Sequence, residues 1–126
     1  MPKRMYGYLK GPIDWNSAIY NKISGMPGIY IVTVRERNWG IPYPFGMSNI
    51  IYIGQSEDIG SRLREHETRG ENHGFAQYRA YHNINVYFKP MDPSSNLERW
   101  ESNMILDFVN KFGCAPVCNN QIPRGK

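Results

Sequence analysis

The chain has 126 residues, of which 40% are hydrophobic and 21% charged. That length and balance suit one globular domain with its own core, and they exclude a disordered chain or a miniprotein that needs staples. Lys and Arg total 15 against 11 Asp and Glu, a net charge of +4, which favours an anionic partner without naming one.

Residues 1–12 are polar and glycine-rich and read as an arm. Asp14 is placed to cap a short helix running to about Ser24, with Trp15, Ala18, Ile19 and Ile23 at helical spacing. After the break at Ser24–Gly28, Ile29–Arg35 is a β-branched strand. Asn38–Ser48 reads as a loop rich in aromatics, with Trp39, Tyr43 and Phe45. Ile50–Ile53 is a second strand, expected to pair antiparallel with the first across that loop. A turn at Gly54-Gln55-Ser56 leads into a helix to about Thr68, with Ser56 as its cap and Glu57 and Asp58 at the positive end of the dipole. A short helix is expected over Phe75–Tyr81. Ile84–Lys89 alternates Ile84, Val86 and Phe88 with Asn85, Tyr87 and Lys89, the pattern of a half-buried strand. Ser95 and Glu98 form a capping box for a long helix, about Asn96–Phe112. Its apolar stripe is Leu97, Trp100, Met104, Ile105, Phe108 and Val109, and Gly113 stops it.

These elements predict a single α+β domain with a small three-stranded antiparallel sheet flanked by helices. An N-terminal arm and helix would occupy 1–26, the main domain 27–119, and a tail 120–126. The two cysteines, Cys114 and Cys118 in CAPVC, are too few for a structural zinc site or a disulfide scaffold, and read as small apolar residues in a reducing compartment. The basic start Met1-Pro2-Lys3-Arg4 is followed by no apolar leader, and no run reaches membrane-spanning length. The expectation is a cytoplasmic protein with no membrane partner.

Several side chains stand out for their chemistry. Tyr30 and Tyr52 lie on neighbouring strands, in the mirrored triplets Gly28-Ile29-Tyr30 and Tyr52-Ile53-Gly54. Arg62 and His66 are four apart in GSRLREH and share a helix face, where the planar guanidinium could clamp a phosphate. Glu101 has no role at its helix end, and one carboxylate can hold a hydrated magnesium ion. Asn119, in CAPVCNN, follows Pro116. Each has an ordinary reading by itself: aromatic packing, a solvated helix face, an exposed glutamate, a turn residue. No Ser–His–Asp pattern, P-loop or GxGxxG competes with them.

In this order the residues resemble the GIY-YIG nuclease family. The resemblance runs from Gly28-Ile29-Tyr30 and Tyr52-Ile53-Gly54 through Arg62 and His66 to Glu101, with Met104 and Ile105 after it, and ends at Pro116 and Asn119. It implies metal-dependent hydrolysis of a DNA phosphodiester by an endonuclease that leaves 5′-phosphate and 3′-hydroxyl ends. It also implies that Glu101 is the metal ligand, for Mg²⁺ or Mn²⁺. Tyr30 would act on the attacking water, helped by the metal or Tyr52, and Arg62 would stabilise charge on the phosphate. His66 would either relay a proton or bind the phosphate, and Asn119 would orient the site.

Tyr30 and Tyr52 are 22 residues apart, further than in the shortest members. This longer connection is similar to the restriction-enzyme branch. It offers Arg35, Arg37, Trp39 and Tyr43 as DNA contacts, with Arg64 on the following helix, or else it packs as a hairpin extension. The expected protein is small and stand-alone, with specificity from the loop, the arm, a homodimer or a protein partner, or with none. The alternative is a non-catalytic nucleic-acid-binding module of the same fold, which the presence of all six motif positions disfavours.

Overall fold

The structure is a computed structural model that describes residues 9–16, 19–69, 77–78 and 80–119. The arm before residue 9, Ala18 of the first expected helix, much of Phe75–Tyr81 and the tail from 120 lie outside the described residues. In chain order the elements are β1 (Lys10–Asp14), α1 (Ile19–Lys22), β2 (Gly28–Val34), β3 (Ile41–Tyr43), β4 (Gly46–Ser48), β5 (Ile50–Ser56), α2 (Ile59–Arg69), β6 (Ile84–Pro90) and α3 (Leu97–Phe112).

The main sheet has four strands in the order β1-β6-β2-β5, and every pairing is antiparallel. The expected three are β2, β5 and β6. The fourth, β1, comes from the segment read as an arm, and Asp14 ends it instead of capping a helix. Pairing across β6 explains the change: Ile13 sits opposite Val86 and Asp14 opposite Asn85, and the Trp15 amide donates to the Ile84 carbonyl at 3.0 Å. Four of the five β1 residues are exposed, so it carries no apolar alternation, and Pro12 is tolerated because β1 is an edge strand.

All seven residues of β2 are buried, as befits a central strand covered on both faces. One face, with Tyr30, Val32 and Val34, packs on Ile19, Tyr20 and Ile23 of the α1 region and on Ile59 and Leu63 of α2. The other, with Ile31, joins Ile50 and Ile53 against Ile105 and Phe108 of α3. Each fully buried aliphatic contributes about 1.5–3 kcal/mol, so these two layers hold the helices to the sheet. Tyr87 of β6 packs against the α3 layer and Asn85 is buried, accepting a hydrogen bond from Thr33, so β6 is covered on both faces where alternation suggested one.

The connection takes the second of its two readings, a packed hairpin extension: it folds into the β3–β4 hairpin, with Ile41 opposite Ser48 and Tyr43 opposite Gly46. It packs on the C-terminal end of α3, where the Phe45 amide donates to the Phe112 carbonyl at 3.0 Å. Gly113 ends α3 in the left-handed conformation, φ 97°, its amide reaching the Val109 carbonyl, as expected of a helix stop. Cys114 and Cys118 are both free thiols, and burial pushes that of Cys118 up to about 12. Among the described residues no helix is long and apolar enough to cross a membrane.

Candidate active site

The mirrored triplets meet across one strand pair. Tyr30 of β2 lies directly opposite Gly54 of β5, and Val32 lies opposite Tyr52. Between Val32 and Thr33 the register slips, because Thr33 faces Ile50 and leaves Ile51 as an extra residue in β5. A bulge of this kind changes the parity of a strand. Ile50 and Ile53 therefore both face α3, while Ile51 and Tyr52 both turn to the Tyr30 face. The tyrosine rings stack at a tilt, 5.9 Å between centroids and 31° between planes.

Both rings pass over Gly54. A Cβ there would lie 2.6 Å from Cε2 of Tyr52 and 2.7 Å from Cζ and Oη of Tyr30. The glycine of the second triplet is the floor on which both tyrosines rest. In the first triplet, a Cβ on Gly28 would lie 2.1 Å from the Lys89 carbonyl oxygen, so β6 could not close on β2 there.

Helix α2 delivers the next two groups. Its cap is Asp58 and not Ser56: Asp58 Oδ1 accepts from the Ser61 amide at 3.1 Å and from the Gly25 amide at 2.9 Å, while Ser56 Oγ accepts only from the Asp58 amide. These bonds, that of Ser61 first, hold the Asp58 carboxyl below the ordinary range. Asp58→Ala is expected to cost about 1 kcal/mol, the usual worth of a cap, and to loosen α2 from the Gly25 turn, read as a lower melting temperature. His66 is 4% exposed, and its Nε2 lies in a hydrogen bond 3.1 Å from the Tyr30 hydroxyl, with its ring edge-on to Tyr52. Arg62 is held by Glu65, 3.0 Å away and one turn on, a partner the spacing in GSRLREH offered and sequence reasoning passed over. The Arg62 charge lowers the pKa of Tyr30, Tyr52 and Glu101 alike, so one guanidinium serves all three.

Burial, and after it Tyr52, hold the fully buried Tyr30 hydroxyl well above its ordinary range. Tyr52 is likewise raised, first by burial and then by Glu101, with Arg62 opposing. Neither tyrosine is ionised near neutral pH.

Glu101 stands on the second turn of α3. The cap of that helix is Asn96, whose side chain accepts from the Arg99 amide at 3.1 Å. Ser95 and Glu98 therefore do not form a capping box, and Glu98 becomes a first-turn carboxylate one turn before Glu101. The Glu101 carboxyl is pushed from 4.5 up to about 7, by burial first and by Glu98 second, with Arg62 opposing. If Glu101 holds a divalent ion, that binding needs the carboxylate and is expected to weaken below about pH 7. Glu98→Gln should move that midpoint down by roughly a few tenths of a unit, the size of a like-charge pair one turn apart, and Arg62→Gln should move it up. Titration of Mn²⁺ binding against pH reads both shifts.

Asn119 sits behind these groups. Its Oδ1 accepts from the Ile53 amide at 3.0 Å, and its Nδ2 donates to the Ile53 carbonyl at 2.9 Å. With the Cys118 amide on the Ile51 carbonyl, this side chain pairs the free edge of β5 as another strand would. It holds the backbone between Tyr52 and Gly54. Asn119→Asp keeps the shape and loses the donor, leaving a carboxylate oxygen against the Ile53 carbonyl. It is expected to lower the melting temperature more than Asn119→Ala does.

Of the expected DNA contacts, four keep exposed or half-exposed surface and one is buried. Arg35 and Arg37 are exposed beyond the far end of β2, and Arg35 is paired with Asp14 at 3.0 Å. Trp39 is half-buried against the rings of Tyr78 and His82. Arg64 is exposed on α2, with its guanidinium 5.4 Å above the Tyr20 ring. Tyr43 is no surface residue: it is 7% exposed, edge-on to Phe108, and its hydroxyl donates to the Ile50 carbonyl and accepts from the Val117 amide. Packing the hairpin on α3 buries it, which removes it as a DNA contact.

Two tyrosines, a buried histidine, an arginine and a half-buried glutamate thus converge on one end of the β2–β5 pair. The family match agrees with that geometry: the GIY-YIG catalytic domain matches residues 26–111, most of the chain, so the protein belongs to the GIY-YIG family and carries a nuclease catalytic domain. The matched segment includes Tyr30, Tyr52, Arg62, His66 and Glu101, and ends before Asn119. No curated protein and no solved structure matches the chain.

Proposed function

We propose that the protein is a divalent-metal-dependent endonuclease that hydrolyses DNA phosphodiester bonds to 5′-phosphate and 3′-hydroxyl ends. The observation that carries this is the convergence of the Tyr30–His66 hydrogen bond, Arg62 and Glu101 at one place. The donor set fits Mg²⁺ or Mn²⁺: one half-buried carboxylate with hydroxyls close by is hard-oxygen chemistry, and such ions keep several waters. Among the described residues no group of three or more His, Cys, Asp and Glu gathers as a closed site would require. A carboxyl whose pKa is raised by burial also gains from a cation, which restores its charged form.

Glu101 would hold the ion, which when bound supplies polarisation of the phosphate and of the attacking water. Tyr30 has no exposed surface in the free protein, so it would orient that water once bound DNA shifts the partly exposed Tyr52 ring and uncovers its hydroxyl. Because Tyr30 keeps its own proton, it acts as a relay and not as a standing phenolate: it accepts a proton from the water at Oη as it gives its own to His66 Nε2. Tyr52 does not assist by lowering the pKa of Tyr30, since it raises it; that help comes from Arg62. His66, buried and bonded to Tyr30, is assigned the proton and not the phosphate. Arg62 stabilises charge on the phosphoryl oxygens, with Glu65 fixing its fork. Asn119 positions the strand between Tyr52 and Gly54. Arg64, Arg35, Arg37 and the exposed part of Trp39 remain proposed contacts to flanking DNA. One site cuts one strand, so a plasmid should be nicked before it is linearised unless two copies act together.

The test is cleavage of supercoiled plasmid, linear duplex, single-stranded and branched DNA with Mg²⁺, Mn²⁺ or EDTA. Cutting that needs the ion and leaves ligatable ends supports the reading. DNA binding without cutting of any substrate would shift it to a binding module.

A further inference from the structure

The first turn of α3 carries a feature that the hydrolysis does not use. Trp100, next to Glu101, is 47% exposed. The chain has three tryptophans, and the other two are engaged: Trp15 is buried with Nε1 donating to the Tyr20 hydroxyl, and Trp39 packs on Tyr78 and His82. Among the described residues Trp100 belongs to neither core layer. Its sequence position suited the apolar stripe, but successive residues turn about 100° round a helix, which carries its ring out of the contact made by Leu97, Ile105 and Phe108. Trp100 and Glu98 thus flank Glu101 on opposite sides, one an indole face and the other a charge. Among the described residues the other exposed large apolar side chains, Phe45, Met47, Tyr81, Leu106 and Val117, lie on other turns or elements.

A large aromatic surface left in water costs solvation free energy, and beside a phosphate-cleaving carboxylate the group it matches is a nucleobase π-face. In an intact duplex that face is covered by its neighbours in the stack. Only an unpaired or unstacked nucleotide can present it. Arg99, exposed on the same turn, can accompany the phosphate that follows such a base.

We propose that Trp100 stacks on an unpaired base next to the scissile phosphate, so that the enzyme prefers DNA with an unpaired nucleotide at the cut over fully paired duplex. This rests on the DNA-cleaving reading of Glu101 and adds the substrate class to it. Trp100 would be a specificity residue, with no part in the proton or metal chemistry.

The experiment compares a duplex oligonucleotide carrying one unpaired nucleotide with its fully paired counterpart. Cleavage is measured for wild type, Trp100→Ala, Trp100→Leu and Trp100→Phe, and equilibrium binding is measured in a Glu101→Ala background, where the DNA stays whole. With 2-aminopurine as the unpaired base, its fluorescence should be quenched on binding when Trp100 is present and not when it is alanine. Trp100→Ala and Trp100→Leu should weaken binding and cleavage of the unpaired substrate roughly 5- to 150-fold, the span of one base–aromatic stack, while the paired duplex changes less than about twofold and Trp100→Phe keeps most of the preference. Equal losses on both substrates, or none on the unpaired one, overturn the proposal. Wild-type cutting of every DNA by Trp100→Ala, beside a dead Glu101→Ala, sinks this inference alone. Full activity in Glu101→Ala sinks the assignment of Glu101 beneath it, and no cutting of any DNA by the wild type sinks the nuclease reading.

Discussion

Glu101→Gln is expected to abolish cleavage and, in the metal-free protein at pH 8, to leave the fold as stable as wild type or more so. The two effects share a cause. The folded carboxyl titrates at about 7 against an ordinary 4.5, so between those values the folded protein binds more protons than the unfolded chain. A raised pKa of this kind contributes stability that is present below the unfolded value and is lost as pH rises through the folded one. Above pH 7 the wild type therefore holds a partly buried charge at a cost, which Arg62 offsets in part. Glutamine keeps the shape and removes the charge. The same change removes the anion that would bind the ion, and cleavage should fall at least ~10²–10³-fold, as when an electrostatic stabiliser of the transition state is deleted. Melting curves at pH 5.5 and 8, with and without Mn²⁺, read this directly: wild type should gain stability from Mn²⁺ at pH 8, and Glu101→Gln should gain almost none.

Gly54→Ala is expected to be the most damaging change outside the reacting groups. The added methyl would meet two aromatic rings at 2.6 and 2.7 Å, and Tyr30 cannot swing aside, because it has no exposed surface and is tied to His66. Overpacking of this kind costs about 1–3 kcal/mol, which a domain of this size survives at low temperature. The activity loss should be larger, since a displacement of about 1 Å at the reacting groups costs roughly 10²-fold. The signature is a protein that folds, still binds Mn²⁺ through Glu101, and cuts at 1% of the wild-type rate or less. Gly54→Ala combined with Tyr52→Ala, which clears one of the two rings, should regain stability without regaining activity. Wild-type cutting by Gly54→Ala would show that the rings do not rest where the structure has them.

The site was legible in the sequence because each group sits on an element with a clear period. Arg62 and His66 share a helix face whatever that helix packs on, and Tyr30 lies in a strand whose apolar run is unbroken. The parity of Tyr52 was not legible. Simple alternation from Ile50 would send Tyr52 to the α3 side, and only the extra residue Ile51 brings it to Tyr30. A bulge belongs to the pairing of two strands, so neither strand's own sequence displays it. The helix caps moved by one or two residues for a related reason. Ser94, Ser95 and Asn96 are all capable caps, as are Ser56 and Asp58, and packing decides among them. That small shift changed the meaning of Glu98, from a capping residue to a charge acting on Glu101. Strand β1 hid because Lys10–Asp14 is exposed and contains Gly11-Pro12, which reads as a turn. The β3–β4 hairpin was one of two open readings, because proline and glycine interrupt its strands, and the burial of Tyr43 hung on that choice.

On the proposed function, Glu101 makes this chain a metal-dependent nuclease. Its most direct test is one cleavage experiment on supercoiled plasmid with Mg²⁺, using wild type and Glu101→Gln purified in parallel and matched for folding by their melting curves. The account predicts nicking by the wild type that EDTA stops, and none by Glu101→Gln. Equal cutting by both proteins, or wild-type cutting that persists in EDTA, would contradict it.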